Sequence, residues 1–201
     1  PITKLNYRYR SLKTLSTIEK WELEKIEHRC NALPATIYIE SDDPDGLKGI
    51  DQTKVSKASQ TRYPIIKPYI DRMDNKYQWC IAAVPGEAWA KKVFPGERTS
   101  KAVEKLWNAI LYTSRADGDD PVKAWDEHNA DLKTRFEYLN SLGIESLHYT
   151  ASNGTDFTVG LIPDALFMGG SEFTLSGTEF NPNIPSEEVF TSPMKGKAEG
   201  V

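Results

Sequence analysis

Up to Gly143, apolar side chains return mainly at helical spacing, interrupted by short runs in which they are consecutive. Leu23, Ile26, Cys30 and Leu33 form one stripe of a helix expected to open near Ser16. There Ser16-Thr17-Ile18-Glu19 has the form of a capping box, in which hydroxyl and carboxylate each satisfy a free backbone donor. Pro34 ends that helix. Thr36-Ile37-Tyr38-Ile39 is β-branched and aromatic, and predicts a strand. Ser41 to Gly46 has turn chemistry. A second helix is expected from near Asp51 to Arg62, and a further one through Ile65, Ile66, Tyr69, Ile70 and Met73, with Pro68 awkward inside it. Tyr77 to Val84 is apolar on successive residues, the pattern of a central parallel strand buried on both faces.

Pro85-Gly86 then leads into a short helix through Trp89 and Val93, stopped by Pro95-Gly96. Val103, Leu106, Trp107, Ile110 and Leu111 predict an amphipathic helix. Asp120-Pro121 is an N-cap followed by proline at the first helical position. Val122, Trp125, Leu132, Phe136 and Leu139 stripe the long helix that follows, and Gly143 closes it.

Beyond Gly143 the texture changes. Leu147 to Thr150, Phe157 to Leu161 and Ala165 to Met168 are short strand candidates, and Asn153-Gly154 between the first two is a hairpin signal. Gly169-Gly170-Ser171 reads as a turn. The expected fold class is therefore α/β. Residues 1–143 form an alternating helix/strand domain with parallel-type central strands, and 144–201 are the β-rich beginning of a second domain.

Composition narrows the function classes. The 201 residues are 39% apolar and 27% charged, with a net charge of −4, so nothing draws the chain as a whole to nucleic acid or an anionic membrane. No apolar run approaches the roughly 20 residues that span a bilayer. Two cysteines, Cys30 and Cys80, are too few for a disulfide framework. Cys80, inside an apolar run, is expected to be a buried thiol.

Motifs with chemistry are sparse. His28, His128 and His148 stand at no ligand spacing, and each is expected to be surface-exposed or structurally hydrogen-bonded. For His128, near the apolar stripe of its helix, a helix-to-loop hydrogen bond is expected. Phosphate-binding glycine loops and a Gly-x-Ser-x-Gly elbow are absent. One dense polar cluster runs from Asn181 to Pro193. In it Glu187 and Glu188 lead into the strand-like Val189-Phe190-Thr191. Successive strand residues face opposite ways, so only one of the two can face a given pocket. A carboxylate at a rigid strand start suits a divalent ion. On spacing alone, solvated or Lys-paired glutamates are the favoured reading.

Phe180 to Thr191 and Gly154 to Leu161 resemble the thermophilic aminopeptidase family M29. So do Trp79 to Pro85 running into Ala88 to Pro95, and Asp120 to Trp125 with His128-Asn129-Ala130, all in the family's order. The resemblance covers nearly the whole chain as part of a longer protein. It implies a cytoplasmic, typically dimeric exopeptidase that removes N-terminal residues from peptides using two divalent ions per full-length subunit (Co, Zn or Mg). It places the first metal ligand on Glu188, with Glu187 in reserve, and the remaining ligands beyond Val201. These 201 residues alone are then expected to be inactive. Met194-Lys195-Gly196-Lys197 departs from the family's His-containing pattern at that place. The competing reading is a stand-alone α/β binding or oligomerisation module.

Overall fold

The structure, a computed structural model, describes residues 2–201. The chain runs α1 (Ile2–Tyr9), α2 (Leu12–Ser16), α3 (Lys20–Ala32), β1 (Thr36–Glu40), α4 (Gln52–Met73), β2 (Trp79–Ala83), α5 (Glu87–Val93), α6 (Thr99–Thr113) and α7 (Pro121–Ser141). Strands follow: β3 (Ser146–Thr150), β4 (Asp156–Leu161), β5 (Met168–Gly169), β6 (Glu172–Phe173), β7 (Glu179–Phe180), β8 (Asn183–Ile184), β9 (Val189–Phe190) and β10 (Pro193–Gly200). The fold is mixed α/β, as the patterning predicts.

Two compact units emerge from this order. One comprises the chain up to Tyr112 together with Phe173–Ile184; the other comprises Thr113–Glu172 and Pro185–Val201. Gly143 (φ 59°), where the sequence changes texture, lies inside the second.

In the first unit β2 is the middle strand of a parallel sheet ordered β1-β2-β8. Its consecutive apolar residues fit a strand with neighbours on both edges. Ala90, Ala102, Leu106 and Ile110 of α5 and α6 are buried together, and Ala83, Trp89, Phe94 and Val103 pack around them. In the second unit β4 lies between β3 and β10, antiparallel to both. The β3–β4 hairpin turns at Asn153-Gly154, as expected.

Several local expectations are corrected. Ser16 ends α2 instead of opening α3. Ser11 Oγ accepts the Thr14 N–H at 3.1 Å, which starts a separate short helix that uses Ser16 as its last residue. Helix α3 begins three residues later than the box suggested, where Glu22 reaches back to the Glu19 N–H at 3.0 Å. Residues 52–73 form one helix, not two. Pro64 and Pro68 are four apart and both exposed, so the carbonyls they leave without donors face water and the helix continues.

Ala165 to Phe167 is not a strand. The Asn140 side chain acts as its partner instead: the Phe167 N–H donates to Asn140 Oδ1 at 2.7 Å, and Asn140 Nδ2 donates to the Phe167 carbonyl at 3.0 Å. Val122 is 73% exposed, so the packed stripe of α7 starts at Trp125. Cys30 is the buried thiol, whereas Cys80 is half-buried; both are free. Strand β10 was not anticipated: all its residues are exposed, and the positions that alternate with Lys195, Lys197 and Glu199 hold two glycines and just two apolar side chains, Met194 and Ala198.

Candidate functional site

The acidic pair sits in the second unit. Strand β9 pairs antiparallel with β5, Gly169 opposite Val189 and Met168 opposite Phe190. The Gly169-Gly170 step makes this pairing possible. A Cβ on Gly169 would stand 2.8 Å from the Glu188 carbonyl oxygen, and Gly170, at φ 73°, would bring one to 2.9 Å from Asn129 Oδ1. Only glycine fits both places. The pair expected to be a turn is therefore a strand end and a left-handed step against which the Glu188 backbone lies.

Helix α7 and the turn before it hold the same segment from another side. Asp120 caps α7 by accepting the Lys123 N–H at 3.0 Å, and Trp125 and His128 project from one face at i, i+3 spacing. The buried Trp125 indole donates to the Ser114 carbonyl at 2.8 Å. His128 meets it edge-on, with ring centroids 5.5 Å apart. His128 Nε2 lies 2.6 Å from the Ser186 carbonyl oxygen. A carbonyl can only accept, so Nε2 carries the proton. This is the helix-to-loop bond expected for His128, and it closes over Ser186, which is itself buried.

Arg115 completes the arrangement. Its backbone is left-handed (φ 53°), a costly conformation for a residue with a Cβ. Its guanidinium lies 5.9 Å from the centre of the Trp125 ring. From there Nη1 donates to Glu187 Oε1 and Nη2 to Oε2, the latter at 2.9 Å. The fork engages both carboxylate oxygens. Glu187 is thus committed to Arg115. Glu188 is placed differently: its Oε2 accepts the Glu187 N–H at 3.0 Å, and no other described group bonds to it. The sequence could not assign the two roles, because Arg115 lies 72 positions away in a loop with no motif of its own.

As a metal centre the described residues are incomplete. Among them no group of three or more His, Cys, Asp or Glu could hold an ion. His28 is exposed, and His148 lies on the surface with Nε2 2.7 Å from Asp156 Oδ1. Glu188 offers the donor type that suits a divalent ion: a carboxylate with one hydrogen bond, just before a strand. A cleft of about 800 Å³ elsewhere in this unit, lined by Leu139, Ile144, Leu161, Leu166 and Phe167, includes neither glutamate.

Another polar knot, in the first unit, was not anticipated. Arg29 donates to the Tyr38 hydroxyl at 3.1 Å, which lies 3.3 Å from that of Tyr77. Burial, with the Tyr38 hydrogen bond, pushes Tyr77 up to about 12. The knot ties α3 to β1 and to the turn before β2.

The Arg115 pairing has a pH signature. The Arg115 hydrogen bonds hold the Glu187 carboxyl below its usual range, against a smaller opposing effect of burial. A depressed folded-state pKa gives stability that is present above the unfolded value, about 4.3, and is lost as pH falls through the folded value. The side chains remain 30% and 54% exposed, so the contribution is small, about 0–1 kcal/mol for such pairs. In thermal melts the gap between the unsubstituted protein and Glu187→Gln should be fully open at pH 7 and close below about pH 4. A gap that widens on acidification would contradict the pairing.

Comparison with known proteins covers the full sequence. Residues 1–201 match the family described as thermophilic metalloprotease (M29). The chain belongs to the M29 family. It is 36% identical over 182 residues to aminopeptidase T of Thermus thermophilus, covering 90% of this chain and 44% of that protein. It is 35% identical over 200 residues to aminopeptidase 2 of Geobacillus stearothermophilus, covering 99% and 48%. The solved structure of wild-type AmpT from Thermus thermophilus superposes with a TM-score of 0.84 at 30% identity, over 99% of this chain and 49% of that one. The M29 chain thus spans about half the length of these relatives.

Proposed function

We propose that the M29 chain is part of a metal-dependent aminopeptidase that hydrolyses the first peptide bond of its substrates, and that Glu188 is one of its metal ligands. The observation that carries the activity is similarity along the whole chain to proteins named aminopeptidases. The assignment within the pair is supported by the Arg115 fork, which engages both oxygens of Glu187 and leaves Glu188 to meet a cation.

Bound divalent ions would supply a water of lowered pKa and polarise the scissile carbonyl. The chain's own part is to hold one carboxylate in place. The proposal includes two ions per full-length subunit (Co, Zn or Mg), a homodimer and a cytoplasmic location. The other donors would come from polypeptide outside these residues. Sites of this kind need several ligands in fixed geometry, so residues 1–201 by themselves should not turn over peptides.

Full-length protein and residues 1–201 can be assayed side by side on Leu-p-nitroanilide with added Co²⁺, Zn²⁺ or Mg²⁺. Release of p-nitroaniline by the former and none by the latter is expected. A full-length protein inert toward a panel of unblocked peptides would overturn the activity. Turnover by residues 1–201 would overturn the claim that donors lie elsewhere.

A further inference from the structure

Glu187 and Glu188 are adjacent, yet the fold treats them oppositely, and the second depends on the first. The peptide N–H of Glu187 donates to Glu188 Oε2 at 3.0 Å, so the Glu188 carboxylate rests on the backbone of its neighbour. That backbone is held directly at the Ser186 carbonyl by His128 at 2.6 Å, and the Glu187 side chain is held by the Arg115 fork. Behind it, the space where Gly169 lacks a Cβ admits the Glu188 carbonyl. The guanidinium is in turn backed by Trp125, whose indole is anchored to the Ser114 carbonyl, one residue before Arg115. An ion pair this exposed adds little to global stability. Its effect is local: it fixes where one short segment sits.

We propose that Arg115 is a positioning residue, which through its fork on Glu187 holds the 186–188 backbone so that Glu188 presents its carboxylate to a divalent cation in one orientation. The inference rests on Glu188 being a ligand. Metal sites are tuned by groups that orient their ligands, and losing such a group weakens binding by about 10–100-fold. Here the orienting group acts through the neighbouring carboxylate and the shared peptide bond.

The test uses the full-length protein and Co²⁺ as the probe. Metal-free protein is titrated with Co²⁺, and affinity and the visible Co²⁺ absorption spectrum are recorded for Arg115→Met, Glu187→Gln, the double variant and Glu188→Ala. Thermal midpoints of the metal-free proteins serve as the folding control. Arg115→Met and Glu187→Gln should each weaken Co²⁺ affinity by about 10–100-fold. The double variant should be no weaker than the worse single one, because both remove the same contact. Arg115→Lys, which keeps the charge but not the fork, should recover only part of the loss. Metal-free midpoints should change little.

Unchanged Co²⁺ affinity in a folded Arg115→Met or Glu187→Gln protein, beside a large loss in Glu188→Ala, overturns the positioning role and leaves the ligand assignment standing. Unchanged affinity in Glu188→Ala overturns the ligand assignment itself. If Arg115→Met does not fold, Glu187→Gln, which keeps the side chain's shape, decides the matter.

Discussion

Replacing Glu188 with alanine in the full-length protein is expected to lower kcat/KM on Leu-p-nitroanilide by roughly 100-fold or more, a loss that excess Co²⁺ does not restore. Changes to groups that merely orient ligands already cost about 10–100-fold, so losing a direct anionic donor should lie at or beyond the upper end. Glu187→Gln should behave differently. Its carboxylate is taken by Arg115, so under the proposed assignment its loss would loosen a site whose donor, Glu188, is still present, and saturating metal should recover most of the rate. Titrating activity against Co²⁺ for both variants separates the two cases. A Glu188→Ala enzyme within a few fold of the unsubstituted one, with Glu187→Gln dead at every metal concentration, would transfer the ligand role to Glu187.

The other large effect concerns α7. Leu132 is 2% exposed, and its Cδ1 lies 3.5 Å from where a Cβ on Gly170 would stand. It therefore fills the space beneath the glycine step on which β9 and Glu188 depend. Leu132→Ala removes buried methyl groups at a place where a helix and a strand end cannot readily collapse together. The expected destabilisation is roughly 2–5 kcal/mol, seen as a lower urea midpoint with an unchanged slope. Leu142→Ala, at a residue 51% exposed, should stay within about 0.5 kcal/mol. A Leu132→Ala midpoint equal to that of Leu142→Ala would show that the contact contributes nothing.

The elements legible in the sequence were those whose own side chains carry the pattern. The stripe of α6 is written in Leu106 and Ile110, and the central place of β2 in its consecutive apolar residues. Elements defined by a distant partner were not legible. Ala165 to Phe167 resembles a strand until Asn140 takes its hydrogen bonds. Strand β10 alternates charged residues with Met194, Gly196, Ala198 and Gly200, a weak apolar signal in which half the positions are glycine, and its pairing with β4 reveals it. The site follows the same rule. Glu187 and Glu188 stood out as an acidic pair before a strand, and the His128 bond was foreseeable from its place beside a helix stripe. Arg115 was invisible because its role is set by a residue 72 positions away. Gly169-Gly170 was visible but misread, because the close approach of the Glu188 carbonyl is a property of packing and not of turn composition.

The parallel sheet of the first unit takes its third strand, β8, from residues 183–184, while its middle strand ends at Ala83. During synthesis the β1–β2 pair must wait while the ribosome delivers about 100 more residues, roughly 5–20 s at 5–20 residues per second. Throughout that interval one edge of β2 remains unpaired on the nascent chain, the kind of surface that chaperones bind and other chains can extend. Completion of this half of the molecule is therefore tied to the emergence of residues that come after most of the other half.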